Sequence, residues 1–282
     1  MNRKLIPILL ALMLALSACN LHVRFPGTQT TGPLTTNEVS IPVPAASGTV
    51  NLKLSFGAGI IHLAPGASDL VNGTATYNIA DFKPTVTTTG NTIHLEQGNF
   101  RLTGIPDFSN IKNEWDLQLG SVPMDLELEG GAYTGEYALG GLALTNLTVA
   151  EGAAEVDLSF DKLNTAEMKL FHYETGASNV SMTGLANANF ASMEFTGGAG
   201  NYTFDFSGQL RRNASVIIEA GLSNVTLVIP SGLPVQVTVN GLSNVTHDSS
   251  WTKNGNMYTQ SGTGPQLVIL VEMGAGNLTL TR

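Results

Sequence analysis

The 282-residue chain carries 22 acidic residues against 13 basic ones, a formal net charge of −9, and only 12% of its residues are charged. That balance excludes a phosphate-backbone partner, which needs clustered Lys and Arg, so no nucleic acid is expected as a ligand. Cysteine occurs once, so no disulfide can form within the chain.

In chain order, residues 1–18 read as a secretion signal, with Arg3 and Lys4 ahead of an apolar run from Leu5 to Leu16 and then small residues. The run is shorter than the roughly 20 apolar residues of a membrane-crossing helix. Its end, Leu16-Ser17-Ala18-Cys19, resembles the lipobox of bacterial lipoproteins. That resemblance implies that Cys19 is lipidated, becomes the mature N-terminus, and holds the protein extracytoplasmically on a cell or outer membrane. An ordinary signal peptide with a chance cysteine is the alternative. Residues 19–46, with GTQTTGP and IPVPAAS, are rich in Pro, Thr and Gly and lack apolar periodicity, which predicts an extended tether.

Residues 47–126 hold strand-like runs, among them VNLKLSFGAGIIHL from Val50 and NEWDLQLGSVPMDLELEGGA from Asn113. From 127 to 282 the chain repeats itself. GLSNVT stands at Gly221 and again at Gly241, and related copies carry Gly152, Gly176, Gly198 and Gly274. Most intervals are 20–24 residues, the size of one solenoid rung. After each glycine the apolar residues alternate with period two: Val156, Leu158, Phe160; Val180, Met182; Tyr202, Phe204, Phe206; Val225, Leu227, Ile229; Leu278, Leu280. Before it stand Met168 and Leu170, Val216 and Ile218, or Val235, Val237 and Val239. Each period therefore reads as strand, glycine turn, strand.

Such a unit cannot bury its apolar face alone, and stacking solves that problem. The expected fold is all-β, a right-handed β-helix or solenoid-like stack of short strands, with a β-sandwich as the alternative. The long interval before Gly274 contains Asn254-Gly255, which suits a type I′ hairpin inserted into one rung. Three residues after the glycines come Asn179, Asn201, Asn224, Asn244 and Asn277, with Glu155 in the earliest copy. Stacked asparagines can bond along a ladder and tolerate a tight corner. Each Asn also satisfies the N-glycosylation pattern, a reading the bacterial lipobox disfavours.

The order of the GAG-containing strand at Phe56 to Leu63, the YNIADFKPTV segment, the WDLQLG and MDLELEGGA segments and the repeated G-x-x-N-V-T strands resembles the bacterial toast-rack family. Its fold also ends cell-wall-active antibiotic response proteins and is related to β-helical adhesins. The resemblance spans Ser47 to Arg282 and implies a surface-exposed, non-enzymatic envelope module. In some members it serves envelope-stress signalling, but there the domain follows several membrane helices, which a lipobox replaces here.

Sites of chemistry are sparse. His22, His62, His94, His172 and His247 are widely separated and without a Cys or His partner in sequence, so no metal is expected. GGAGNY at Gly197 puts Tyr202 where a calcium-binding coil needs an acid. No cofactor motif is present. Parallel β-helices host polysaccharide-active enzymes with paired carboxylates, and Asp157, Asp161, Asp205 and Glu219 are the nearest candidates, yet they scatter through the repeat register. No enzyme is expected. The expected partners are the membrane, through the lipid on Cys19, and an envelope protein or surface polysaccharide. The expected role is an adhesin-like binding module, with an accessory regulator of envelope stress as the alternative.

Overall fold

Alternating apolar residues along the repeats build long, half-buried strands. In a computed structural model of the chain, which describes residues 31–45, 47–98 and 111–282, fifteen such strands join one sheet. They are β1 (Thr35–Ile41), β2 (Val50–Pro65), β3 (Val71–Tyr77), β4 (Pro84–Thr89), β5 (Thr92–Gln97), β6 (Asn113–Leu119), β7 (Met124–Ala138), β8 (Leu144–Ser159), β9 (Met168–Thr183), β10 (Phe190–Asp205), β11 (Ala214–Val228), β12 (Val235–His247), β13 (Thr252–Asn254), β14 (Met257–Gln260) and β15 (Leu267–Thr281). One-turn 3-10 helices occupy Ala80–Phe82 and Leu185–Ala188. Strands β2, β7, β8, β9, β10, β11, β15 and β12 lie parallel in that spatial order. This is the expected stack, and its parallel register in successive copies is what a hairpin-built sandwich lacks.

Each long strand runs unbroken through its glycine. In β11 the buried residues are Ala214, Val216, Ile218 and Ala220, then two exposed residues, Gly221 and Leu222, and then Ser223, Val225 and Leu227. The pair of exposed residues shifts the alternation by one. In a straight strand that slip would turn the second half outward; at a bend it lets both limbs face one interior. The two limbs of every rung thus share a core in which Tyr173 stacks on Phe195, ring centroids 5.4 Å apart, and Phe195 meets Tyr202 and Phe204 edge-on.

The corner glycines are required by close approach. A Cβ on Gly131 would lie 2.3 Å from the carbonyl oxygen of Gly57, one on Gly198 2.3 Å from that of Gly176, and one on Gly221 2.5 Å from that of Gly198. None of these three has a left-handed backbone. Glycine recurs because each bend packs onto the glycine of the rung beside it. Gly241, with φ of 95°, is different and sits at a register shift in β12. In the return loops the fully buried Asn164 bonds to backbone groups of Leu144, Ala166 and Ala188, which ties neighbouring rungs together.

Several expectations are corrected. The tether cannot extend to residue 46, because Thr35–Ile41 is a strand antiparallel to β3, with Val39 and Ile41 buried. Its Thr- and Pro-rich flanks hid a two-residue apolar alternation. The division at 126/127 falls inside β7, which continues the stack from β2 without a break. Leu170 is only half-buried; Phe171 and Tyr173 point inward, since two residues separate Met168 from Phe171 and reset the phase. The hairpin is not a decoration on one rung. Its strand β14 pairs antiparallel with Val235–Thr238 of β12, and the chain then returns to place β15 between β11 and β12. Its two-residue loop is Gly255-Asn256, between the paired Asn254 and Met257. Only Gly255 has a positive φ, 62°, which suits a type II′ turn rather than type I′.

Candidate binding surface

The stack presents two outward sheet faces, one from each limb. On the second-limb face, Asn179, Asn201, Asn224 and Asn277 form one column. Asn201 donates its amide to Asn179 Oδ1 at 2.8 Å, Asn224 to Asn201 at 3.0 Å, and Asn277 to Asn224 at 2.8 Å. The expected ladder therefore exists, with Glu155 opposite Asn179 at its start. Its order departs from the sequence order. Asn224 bonds to Asn277, because β15 separates the two GLSNVT copies, and Asn244 stands beyond Asn277 in register. Ser181, Thr203, Thr226, Thr279 and Thr246 make a hydroxyl column beside it.

An exposed amide ladder contributes about 0.5–1.5 kcal/mol per bond. Asn224→Ala with Asn277→Ala is expected to lower the melting temperature measurably, and Asn244→Ala alone to change it little. Melting curves with chelator and with millimolar calcium should coincide for wild type; a calcium-dependent rise lost in the double variant would make the ladder a cation site.

Toward the N-terminal rungs the same face becomes acidic. Asp116, His62, Glu136 and Asp157 stand in one register row across β6, β2, β7 and β8. His62 Nδ1 lies 3.0 Å from Glu136 Oε2. Beside them is a shallow depression of about 360 Å³, lined by His62, Glu136, Asp157, Ser159, Ser181 and Thr183 among others. Histidine, carboxylates and hydroxyls here converge on one concave patch of the sheet face. This arrangement can accept and donate several hydrogen bonds at once.

The first-limb face carries a charged network. Lys53 Nζ lies 3.0 Å from Glu127 and 2.5 Å from Glu129, and these hydrogen bonds raise its pKa against the opposing effect of burial. The bond from Lys53 holds the Glu129 carboxyl below its ordinary range. Ser55 Oγ is 3.1 Å from Glu129 Oε2 and 2.8 Å from His94 Nε2. A carboxylate only accepts, so the hydroxyl proton goes to Glu129 and the imidazole donates to the Ser55 oxygen. In that state His94 orients the serine and cannot take its proton. His172 lies 3.5 Å from Glu194, and His247 Nδ1 2.9 Å from the Asp248 carbonyl oxygen.

The four carboxylates weighed for catalysis are not brought together. Asp157 joins the acidic row, Asp205 ends β10 on the same face two rungs away, Asp161 lies in the loop after β8, and Glu219 stands on the other limb opposite Glu272. His22 and Cys19 lie outside the described residues. Sequence reasoning missed the rows because side chains adjacent across strands are 20 or more residues apart in the chain. The acids of MDLELEG at alternate positions were the available signal for the first-limb network.

A buried carboxylate was also missed. Glu151 is 8% exposed at a corner, where Tyr133 donates to its Oε2 at 2.6 Å and Tyr137 donates to Tyr133 at 3.0 Å. Burial drives the hydroxyl pKa values of Tyr133, Tyr137, Tyr173 and Tyr202 upward, and the Glu151 charge adds to it. These phenols stay protonated, and those of Tyr133 and Tyr137 serve as donors inside the stack.

The chain matches the family described as the N-terminal domain of toast_rack, DUF2154, over residues 30–172. No curated protein matches it. Among solved structures it is similar to a candidate cell adhesion protein from Clostridium sporogenes, with 18% identity, a TM-score of 0.50, and coverage of 88% of this chain and 99% of the other. A candidate adhesin from Bacteroides fragilis aligns at 10% identity and a TM-score of 0.42, over 90% of this chain and 100% of that one. At such identities the first likeness speaks for the fold alone. With half of the chain matched by the domain and the stacked strands in place, the protein belongs to the toast_rack family.

Proposed function

We propose that the protein is a non-enzymatic, lipid-anchored envelope protein that serves as an adhesin-like surface binding module, with the His62, Glu136 and Asp157 patch as its contact for a surface polysaccharide. The observation that carries this reading is the concave row of carboxylates and hydroxyls on one sheet face. Sugar hydroxyls are donors and acceptors at a few ångströms' spacing, and carboxylates accept from them in charge-assisted bonds. The description of the similar Clostridium sporogenes structure as a candidate cell adhesion protein supports the same class of role.

The test is co-sedimentation of the intact protein with purified envelope polysaccharide. Glu136→Gln with Asp157→Asn should weaken binding at least tenfold, since a bond to a charged group contributes about 1.5–3 kcal/mol. Unchanged binding in the double variant would sink the assignment of the patch. Recovery of a membrane sensor in pull-downs after cell-wall antibiotic exposure would favour the stress-regulator reading instead.

The anchor has its own test. Acyl chains contribute about 0.8 kcal/mol per buried methylene, and two chains hold far more firmly than one. Cys19→Ala is therefore expected to move the protein out of the membrane fraction. Retention of the variant after a carbonate wash would refute lipidation at Cys19.

A further inference from the structure

The hexapeptide GLSNVT occupies two different environments. In β11 it is flanked on both sides, by GAGNYT of β10, with Asn201 opposite Asn224, and by GAGNLT of β15, with Asn277 opposite Asn224. In β12 the second copy pairs with β15 on one side, Asn244 opposite Asn277. On the other side β14 covers only Val235–Thr238. Among the described residues no strand lies along the outer edge of Gly241–His247.

The open edge also leaves core positions uncovered. Val245 and His247 are half-buried at stack positions where Val225, Leu227, Leu278 and Leu280 are at most 1% exposed. Edge strands elsewhere carry protection: Pro33 and Pro42 flank β1, Pro84 opens β4, and short β13 holds Lys253. Proline and lysine are the usual means of blocking strand addition. The second limb of β12 has neither, and only the register shift near Gly241 interrupts it.

We propose that Leu242–His247 of β12 is a strand-acceptor edge that takes a parallel strand of another polypeptide bearing the pattern Gly-Ala-Gly-Asn-apolar-Thr. The pattern follows from the twin copy: the same hexapeptide in β11 accepts GAGN strands on both edges. An incoming strand of this kind would align its Asn with Asn244, cover Val245 with its apolar residue, and place glycine where the corner packs backbone on backbone. Main-chain hydrogen bonds would supply affinity and the alternate side chains specificity. This edge lies at the end of the stack away from the His62 patch, so it stands independently of the polysaccharide assignment.

The probe is a synthetic peptide with the sequence of residues 273–282, MGAGNLTLTR, added to the intact chain and followed by hydrogen exchange. Amides of Leu242–His247 are expected to exchange faster than those of Ser223–Val228 in the free protein and to slow on saturable addition of peptide. The same peptide carrying Leu278→Pro should bind at least tenfold more weakly. Asn244→Lys with Thr246→Lys, at exposed positions, should abolish the protection while leaving the melting temperature near wild type. The proposal is overturned if exchange at Leu242–His247 is unaffected by peptide, or if it is already slow in the free protein because another segment or a second copy covers the edge. Loss of protection in Ala275–Thr281, which would show the peptide merely replacing β15, also overturns it.

Discussion

Val225→Asp is expected to destabilise the protein by several kcal/mol, on the order of 3–5, while Thr226→Asp one residue later is expected to change stability by less than about 0.5. Val225 is 1% exposed between Tyr202 of β10 and Leu278 of β15, with no cation in the register row to pair with a carboxylate. Thr226 faces outward between Thr203 and Thr279, where a charge stays hydrated and meets no neighbouring acid. For a domain of this size 1 kcal/mol moves the midpoint by roughly 2–4 °C, so the first variant should melt about 10 °C lower. Equal melting temperatures for the two variants would show that the limb faces the other way. Because each rung contacts only its neighbours, the loss falls on two interfaces and weakens the stack locally.

The strand phase that this comparison uses was legible in the sequence. Val225, Leu227, Val156, Leu158, Tyr202 and Phe204 alternate cleanly, and all are buried. Period-two alternation reports burial directly, so the repeats showed both the strands and the shared core. Leu170 misled because the first limb of β9 slips by one residue after Met168, and no local residue type marks the slip. The strand β1 was hidden for a related reason. Only Val39 and Ile41 in it are buried, too few to stand out from the Pro- and Thr-rich stretch around them.

The order of rungs was not legible. Six aligned glycines suggested that rungs follow one another along the chain, yet the last strand lies between β11 and β12. Hairpin pairing of β14 with β12 caps one limb of the outer rung, and the return of β15 fills the space inside it. Both GLSNVT copies then face the same GAGNLT strand from opposite sides, which accounts for their near identity. Their likeness in sequence reflects a shared partner. The polar rows were illegible for a different reason: His62, Glu136 and Asp157 are brought side by side only by the register of three strands.

The second large effect concerns the corner. Gly198→Ala is expected to cost about 3 kcal/mol, because its Cβ would sit 2.3 Å from the Gly176 carbonyl oxygen, and that oxygen belongs to a rung itself packed against Gly152. The clash cannot be relieved by turning a side chain; the rungs must separate. Gly274→Ala should cost less, about 1 kcal/mol, since its Cβ would stand 3.0 Å from the Gly221 oxygen. The sign is decisive. Neither glycine has a left-handed φ, so if close approach were unimportant alanine would stabilise by about 0.4–1 kcal/mol through the unfolded chain. Urea midpoints at unchanged slope measure the difference. A Gly198→Ala midpoint at or above wild type would mean that the corner glycines are not held by backbone contact, and the bent-rung account of the repeat would fall with it.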